Sequence, residues 1–300
     1  MRRHHTSPRN DWQKIVESQG MYYHTADGVP YWDESAYYEF TDREIDALEE
    51  ATYALDQMCL AAVQHVLDCD LLDKFLIPKE FHRYIRDSWE QDERTVYGRF
   101  DLAYDGTQSP KLLEYNADTP TALLEAAVIQ WHWLRDSFPR LSQFSSIHER
   151  LLEAWKLLAN ERPGRMYFAS VAGCVEDYMT VSYLRDVAIQ AGCDTAPINI
   201  EDIGWDDDRG LFTDKDENPI FSREGANIQV FKQGKLVLAT DGPYDGPAIY
   251  QESCSLPLFE GKYYACIGSW IVDGWACGIG IREDESMVTG NLSRFVPHVF

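Results

Sequence analysis

The 300-residue chain carries 50 acidic and 27 basic residues, a formal net charge of −23, and 45% of its residues are hydrophobic. That hydrophobic share is enough for a folded core, and the length allows one large domain or two small ones. The negative charge argues against binding nucleic acid or an anionic membrane surface, both of which need a basic face. It would suit a cationic polyamine, although many ordinary acidic proteins carry a similar charge.

Hydrophobic periodicity and turn residues predict mixed helices and strands. A capping box at Thr41 and Glu44 opens a long helix. The other predicted elements, in chain order, are a short helix or loop over 78–93, a hairpin over 99–117, helices over 121–136 and 145–159, a strand–helix–strand unit over 166–200, a hairpin around Gln233-Gly234 and strands over 248–252, 263–272 and 276–282. The strand–helix–strand unit predicts a parallel pair.

The hairpin over 99–117 carries the clearest chemical pattern. Alternation along a strand places Arg99 and Asp101 on one face of the first strand, and Glu114 and Asn116 on one face of the second. If those faces meet, two carboxylates and an amide oxygen form a set of hard ligands suited to Mg²⁺ carrying substrate phosphates. The alternative from spacing alone is an edge hairpin with a solvated polar face.

The cysteines indicate a reducing compartment. There are seven, an odd number, with no C-x-x-C pair, and several lie in apolar stretches. No apolar stretch approaches the length of a membrane-spanning helix. We therefore expect a cytoplasmic protein with no membrane and no nucleic-acid partner; the oligomeric state is left open.

Three separated segments resemble the ATP-grasp ligase part of the glutathionylspermidine synthase family. They are the opening stretch GVPYWDESAYYEFT, the hairpin stretch RFDLAYDGTQSPKLLEYNADTPTALLEA and the final stretch GSWIVDGWACGIGIREDESMVTGNLSRFVPHVF. The resemblance implies an α/β (α+β) ATP-grasp-like fold. An N-terminal lobe over 1–218 would contain the hairpin 99–117 and the βαβ unit 166–200, and a mainly antiparallel ATP-grasp lobe would span 219–300.

The family joins a carboxylate to an amine with ATP and Mg²⁺, which implies a glutathione-like peptide and a polyamine or another amine as substrates. Residue by residue, the resemblance implies Asp101, Glu114 and Asn116 as Mg²⁺ ligands, Arg99 and Arg282 as catalytic cations, Arg99, Arg223, Gly225, Gln251 and Glu252 at ATP, and Thr119, Glu176 and Asp177 at the substrate. On local grounds alone, Glu176 and Asp177 are more typical of acids that complement a helix dipole.

The chain departs from the family at Asn218–Pro219. A long family stretch is missing there, and with it one ATP-binding lysine; the lysine that normally precedes the Pro-Ile pair is Asn218. The resemblance therefore implies a fold that is incomplete relative to the family and a ligase impaired by the loss of both lysines. Two alternatives are a non-catalytic remnant that binds a peptide or polyamine, and a metal-dependent hydrolase built on Asp101 and Glu114.

Overall fold

The computed structural model describes residues 1–26, 28–117, 120–206, 211–214, 229–232, 235–239, 251, 254–290 and 293–300. Its α-helices are α1 (Trp12–Ser18), α2 (Asp42–Asp68), α3 (Lys79–Glu90), α4 (Gln130–Ser137), α5 (Ile147–Glu161) and α6 (Val175–Gln190). A π-helical turn at Glu125–Ile129 leads directly into α4, and short 3₁₀ turns lie at Leu72–Phe75 and Ile200–Asp202.

The strands are numbered along the chain. They are β1 (Arg2–His5), β2 (Thr25–Ala26), β3 (Val29–Pro30), β4 (Ala36–Glu39), β5 (Tyr97–Ala103), β6 (Lys111–Asn116), β7 (Arg165–Ser170), β8 (Asp194–Asn199), β9 (Ile203–Asp206), β10 (Leu211–Asp214), β11 (Gln229–Lys232), β12 (Lys235–Ala239), β13 (Leu258–Phe259), β14 (Tyr263–Val272), β15 (Trp275–Asp284), β16 (Arg294–Val296) and β17 (His298–Val299).

The central element is a six-stranded antiparallel sheet in the order β16-β15-β14-β5-β6, with β13 added beside β14. A second sheet has the order β1-β4-β17, in which β17 runs parallel to β4. Strands β7 and β8 form the parallel pair of the predicted βαβ unit, with α6 as the crossover. The observed mixture of helices and mainly antiparallel sheet agrees with the predicted fold class.

The central sheet separates two hydrophobic cores, as the alternation of β14 requires. Ile267 and Ile271 of β14 lie in the core that contains Ile45 and Leu48 of α2. Trp270 belongs to the other core, with residues of the π-helical turn, α4 and α5. The sheet is thus covered on both faces, and polar side chains on it must be satisfied by neighbours.

Helix α2 begins at the predicted capping box. Thr41 accepts a hydrogen bond from the Glu44 backbone N–H, and the Glu44 carboxylate accepts one from the backbone N–H of Thr41. The helix is fixed to the central sheet by a 2.6 Å contact between the hydroxyls of Thr52 and Ser269, both fully buried. A polar pair inside the core therefore sets the position of α2 on β14.

The predicted start of the helix over 121–136 was wrong. The residue at 122 has φ = 63°, outside the helical region, and the helix is π-helical from Glu125 before it continues as α4. The regular helix therefore begins later than predicted. A residue other than glycine in the left-handed region costs free energy, which marks this turn as held in place by its surroundings.

Strands from both sides of residue 218 share the central sheet, since β5 and β6 pair with the hairpin of β14 and β15. The division into lobes at 218/219 remains a prediction. Within the described residues, no helix is long and apolar enough to span a membrane. All seven cysteines are unpaired.

Candidate active site

The pairing of β5 with β6 brings the predicted ligands onto one face. Asp101 lies directly opposite Glu114, and Arg99 lies opposite Asn116. The side-chain contacts agree with a shared face: Asn116 Nδ2 donates to Glu114 Oε1 at 2.7 Å and lies 3.4 Å from Asp101 Oδ2. Four polar side chains therefore form one cluster on the central sheet.

Asp101 is the centre of the cluster, and two arginines bind it. Arg99 Nε donates to Oδ1 at 2.6 Å and Arg99 Nη2 to Oδ2 at 3.0 Å, while Arg282 Nη2 donates to Oδ2 at 2.7 Å. Asp101 and Arg99 are both buried. Burial alone would raise the pKa of Asp101, but the charges of Arg99 and Arg282 outweigh it and leave the pKa below its usual value.

The two arginines differ in how many of their nitrogens donate within the protein and in how exposed they are. Arg99 uses its remaining nitrogen, Nη1, to donate to the carbonyl oxygen of Thr121 at 2.7 Å. Arg282 is partly exposed, with 23% of its side chain accessible, and it contacts Asp101 through Nη2. Arg99 therefore ties the hairpin to the start of the next helix, whereas Arg282 is the cation that a substrate could reach.

Gly268 makes room for Arg99. It lies opposite Asp101 in the pairing of β14 with β5, and a Cβ atom at this position would lie 2.8 Å from Cδ of Arg99. No real side chain tolerates so close a contact without a shift. The glycine is needed here because the aliphatic stem of Arg99 packs directly against its backbone.

The donor set fits a hard cation such as Mg²⁺. Asp101 and Glu114 supply carboxylate oxygens, and rotation of the Asn116 amide would present a third oxygen in place of its NH₂ group. Among the described residues, no three His, Cys, Asp or Glu side chains lie close enough to hold a metal by themselves. Any ion here would therefore need further oxygens from substrate or water, as is usual for Mg²⁺.

A second group of polar side chains adjoins the cluster. Glu125 in the π-helical turn is 2% exposed, and its Oε1 atom has no hydrogen-bond partner. The Tyr31 hydroxyl hydrogen-bonds to the carboxyl group of Glu125. The negative charge of Glu176 raises the pKa of both Tyr31 and Glu125. The positive charge of Arg99 lowers the pKa of Glu125, and that of Arg282 lowers the pKa of Tyr31. Glu176, in the first turn of α6, is therefore part of the same region.

The remaining predicted site residues are placed as follows. Asp177 is buried and contacts Cys174 at the start of α6, the local role expected of an acid in a first helical turn. Gln251 is exposed. Thr119, Arg223, Gly225 and Glu252 lie outside the described residues, so their predicted roles stay predictions.

Three site residues were missed from the sequence: Tyr31, Glu125 and Gly268. Glu125 offered a signal, because it is the lone charged residue in the apolar stretch 122–129. Tyr31 gave a weaker one, since it lies in the opening stretch that carries part of the family resemblance. Gly268 gave none, because its role depends on which strand pairs with β5.

Comparison with known proteins places these features in one family. The family model for the glutathionylspermidine synthase preATP-grasp region matches residues 3–220 and 217–300. A Haemophilus influenzae protein named "Putative acid–amine ligase" is 31% identical, with 92% of each chain covered. Trypanothione synthetase of Crithidia fasciculata is 25% identical over 86% of this chain and 56% of its own length. The bifunctional glutathionylspermidine synthetase/amidase of Escherichia coli K12 is 28% identical over 57% of this chain and 28% of its own.

The alignment with the Haemophilus protein has more positions than the number of residues that this chain contributes to it. It extends over 366 positions, whereas 92% of 300 residues is about 276, so about 90 aligned positions have no residue here. The two segments of the family match meet at residues 217–220. This is the region in which the sequence predicted a missing stretch.

Proposed function

Because the chain belongs to the glutathionylspermidine synthase preATP-grasp family, we propose that it is an ATP-dependent ligase that joins a peptide carboxylate to an amine. The observation that carries this proposal is the cluster in which Asp101 binds both Arg99 and Arg282 beside Glu114 and Asn116. Carboxylates that can bind a metal ion lie beside arginines that can donate to phosphate oxygens, and the phosphates of a nucleotide need both.

Mg²⁺ would be held by Asp101, Glu114 and Asn116, and when bound it would neutralise charge on the nucleotide phosphates. The low pKa of Asp101 keeps this carboxylate ionised at neutral pH. An ionised, arginine-bound Asp101 is poorly suited to donate a proton, which argues against the hydrolase alternative.

Arg282 would contact the transferring phosphoryl group. Its partial exposure and its position on β15 beside Asp101 favour this role, because a planar guanidinium can bind phosphate oxygens with its remaining N–H groups. Arg99 would orient Asp101 and the turn at Thr121 instead of binding ATP directly, since three of its nitrogens already donate within the protein.

The substrates would be a glutathione-like peptide and a polyamine or another amine. A carboxylate oxygen of the peptide would attack the terminal phosphorus of ATP and ADP would leave. The unprotonated amine nitrogen would then attack the acyl carbon, phosphate would leave, and the nitrogen would lose one proton, which the departing phosphate or solvent takes up. Glu176 would contact one of these substrates; in support, its charge raises the pKa of both Tyr31 and Glu125, which adjoin the cluster. A cytoplasmic location would supply ATP and keep the seven cysteines reduced.

We expect the ligase to be impaired. The family resemblance implies two lysines that bind the ATP phosphates, and we infer that neither has a counterpart in this chain. Phosphoryl transfer depends on positioned charge, so losing such groups costs orders of magnitude in rate. The roughly 90 unmatched alignment positions favour one second candidate, a non-catalytic protein that still binds a peptide or an amine.

The test is trapping of the activated carboxylate. Purified protein, ATP, Mg²⁺ and glutathione are incubated with hydroxylamine, and glutathione hydroxamate is measured by mass spectrometry beside ADP release. The ligase proposal predicts slow hydroxamate formation that requires ATP and is abolished in Arg282→Gln. Absence of hydroxamate together with normal calorimetric binding of glutathione or spermidine would reject it in favour of the binding protein.

A further inference from the structure

Trp270 lies directly opposite Arg99 where β14 pairs with β5. Side chains that oppose each other on an antiparallel pair lie on the same face and contact each other. The Cζ atom of Arg99 is 5.6 Å from the centre of the Trp270 ring, a distance at which a guanidinium is attracted to the negative face of an indole. Trp270 is 1% exposed, so water does little to weaken this attraction.

The ring of Trp270 completes the surroundings of the Arg99 side chain. The stem of Arg99 packs against the backbone of Gly268, two residues before Trp270 on the same strand. Its guanidinium then donates from Nε and Nη2 to Asp101 and from Nη1 to the carbonyl oxygen of Thr121. Rotation of the guanidinium plane would break bonds to both partners, so the orientation of this plane decides whether the cluster forms.

The indole N–H of Trp270 does not explain why a tryptophan occupies this position. Its Nε1 atom is buried and has no hydrogen-bond partner among the described residues. A buried donor without a partner costs free energy, and phenylalanine would avoid that cost. The feature that distinguishes tryptophan here is its larger ring, which attracts a cation more strongly than the ring of phenylalanine or tyrosine does.

We propose that Trp270 is a positioning residue: its ring holds the Arg99 guanidinium in the plane that binds Asp101, and it thereby sets the affinity of the carboxylate cluster for a metal-bound nucleotide. Trp270 itself touches neither the metal nor the nucleotide. The nucleotide as ligand rests on the proposed function, whereas the positioning of Arg99 does not.

Trp155 provides a matched control for the packing of Trp270. Both tryptophans belong to the same hydrophobic core, Trp155 is 8% exposed, and its Nε1 is also without a partner among the described residues. Its ring packs on Phe168, with the ring centres 5.3 Å apart. Trp155→Met and Trp270→Met remove the same side chain from the same core and should both reduce stability. An effect seen in Trp270→Met alone therefore reports on Arg99.

The test combines nitrogen-15 NMR without nucleotide and Mn²⁺–ATP affinity. The NMR signal that disappears in Arg99→Lys identifies the Arg99 Nε–H, and its rate of hydrogen exchange reports how firmly Asp101 holds it. Trp270→Met should accelerate this exchange and weaken Mn²⁺–ATP binding, each by about tenfold. Trp270→Phe should keep both within about threefold of the parent values, because an aromatic face remains. Trp155→Met should change neither.

Parent-like exchange and affinity in Trp270→Met, or equal changes in Trp155→Met, would overturn the proposal, because the ring would then act through packing alone. Equal effects of Trp270→Phe and Trp270→Met would also overturn it, since they would assign the role to the indole N–H. If Trp270→Met does not fold, tetrafluorotryptophan placed at position 270 keeps the shape of the ring but not its negative face, and it should accelerate the same exchange. The exchange measurement needs no ATP, so it decides the role of Trp270 even if the parent binds no Mn²⁺–ATP and the proposed function fails.

Discussion

Arg282 Nη2 lies 2.7 Å from Asp101 Oδ2, although the two residues are 181 positions apart in the chain. The contact spans β14, which lies between the strands that carry them. The polar cluster therefore depends on correct assembly of the central sheet, and sheet assembly and site formation should be lost together on unfolding.

Asp101→Asn should destabilise the protein by about 3 kcal/mol, because it leaves the buried Arg99 guanidinium without its counter-charge. Unfolding in urea, followed by circular dichroism, measures this loss. The double variant Arg99→Gln/Asp101→Asn should recover part of it, since both charges of the buried pair are then absent. A single variant as stable as the parent would mean that the ion pair contributes nothing to the fold.

The same carboxylate makes stability depend on pH. The folded state holds the pKa of Asp101 below its unfolded value, so its contribution is present above about pH 4 and is lost as the pH falls through the folded pKa. Asp101→Asn should therefore show a shallower loss of stability in acid than the parent protein.

Glu114→Gln should weaken metal binding without affecting the fold. Glu114 is exposed, and its Oε1 accepts a 2.7 Å hydrogen bond from Asn116 Nδ2, so loss of its charge removes a metal ligand at an exposed position. With Mn²⁺ as a paramagnetic probe for Mg²⁺ in the presence of ATP, we expect a loss of affinity of about tenfold, or 1.4 kcal/mol. Glu49→Gln on the exposed face of α2 is the control; equal affinities in the two variants would remove Glu114 from the site.

Gly268→Ala should displace Arg99, because the new methyl group would lie 2.8 Å from its Cδ atom. Gly278→Ala on the neighbouring strand is a matched control, since its methyl group would lie 2.9 Å from Ile147 Cδ1. Both should cost about 1–3 kcal/mol of stability through overpacking. Only Gly268→Ala should also lower Mn²⁺–ATP affinity, and identical affinities would show that Arg99 does not organise the site.

The sequence was most informative where local patterns decide the structure. Alternation placed Arg99 and Asp101 on one face of the first strand, and Glu114 and Asn116 on one face of the second, because strand periodicity is independent of the rest of the fold. It could not identify the residues that Asp101 contacts, since Arg282 and Gly268 reach it through long-range pairing. The start of the helix near Thr121 was missed because Arg99 binds the Thr121 carbonyl, a tertiary contact that the local sequence does not reveal.

His298 should make the protein less stable in mild acid. It is fully buried, accepts a hydrogen bond from the Phe144 backbone N–H and contacts Gln130 Oε1 at 3.0 Å. Burial lowers its pKa to about 3. The unfolded chain takes up a proton below about pH 6.5 and the folded one does not, so stability falls as the pH decreases through this range.

Comparison with a variant isolates this effect. Between pH 6.5 and 4.5, the parent protein should lose about 2 kcal/mol relative to His298→Gln, measured by urea unfolding at each pH. Glu125, whose pKa is raised, acts in the opposite direction, but it is present in both proteins and cancels in the difference. Parallel pH profiles would show that His298 becomes protonated in the folded state.

The last prediction concerns the join at Asn218–Pro219, which lies outside the described residues. We expect it to be an exposed connection, and we expect the chain to be a poor ligase, because the family resemblance implies that both phosphate-binding lysines are missing at this join. Lys215 lies outside the described residues, and Lys232 and Lys235 belong to the strands β11 and β12. The measurement is ATP turnover with glutathione and spermidine, beside a variant into which the missing stretch of the Haemophilus relative is grafted. The grafted protein should be faster by at least two orders of magnitude, in line with the cost of removing positioned cations from phosphoryl transfer. A second graft in which the restored lysines are replaced by Met separates their charge from the added bulk, and it should remain as slow as the parent. Equal rates in the parent and the first graft would mean that Arg282 and a bound metal suffice to hold ATP.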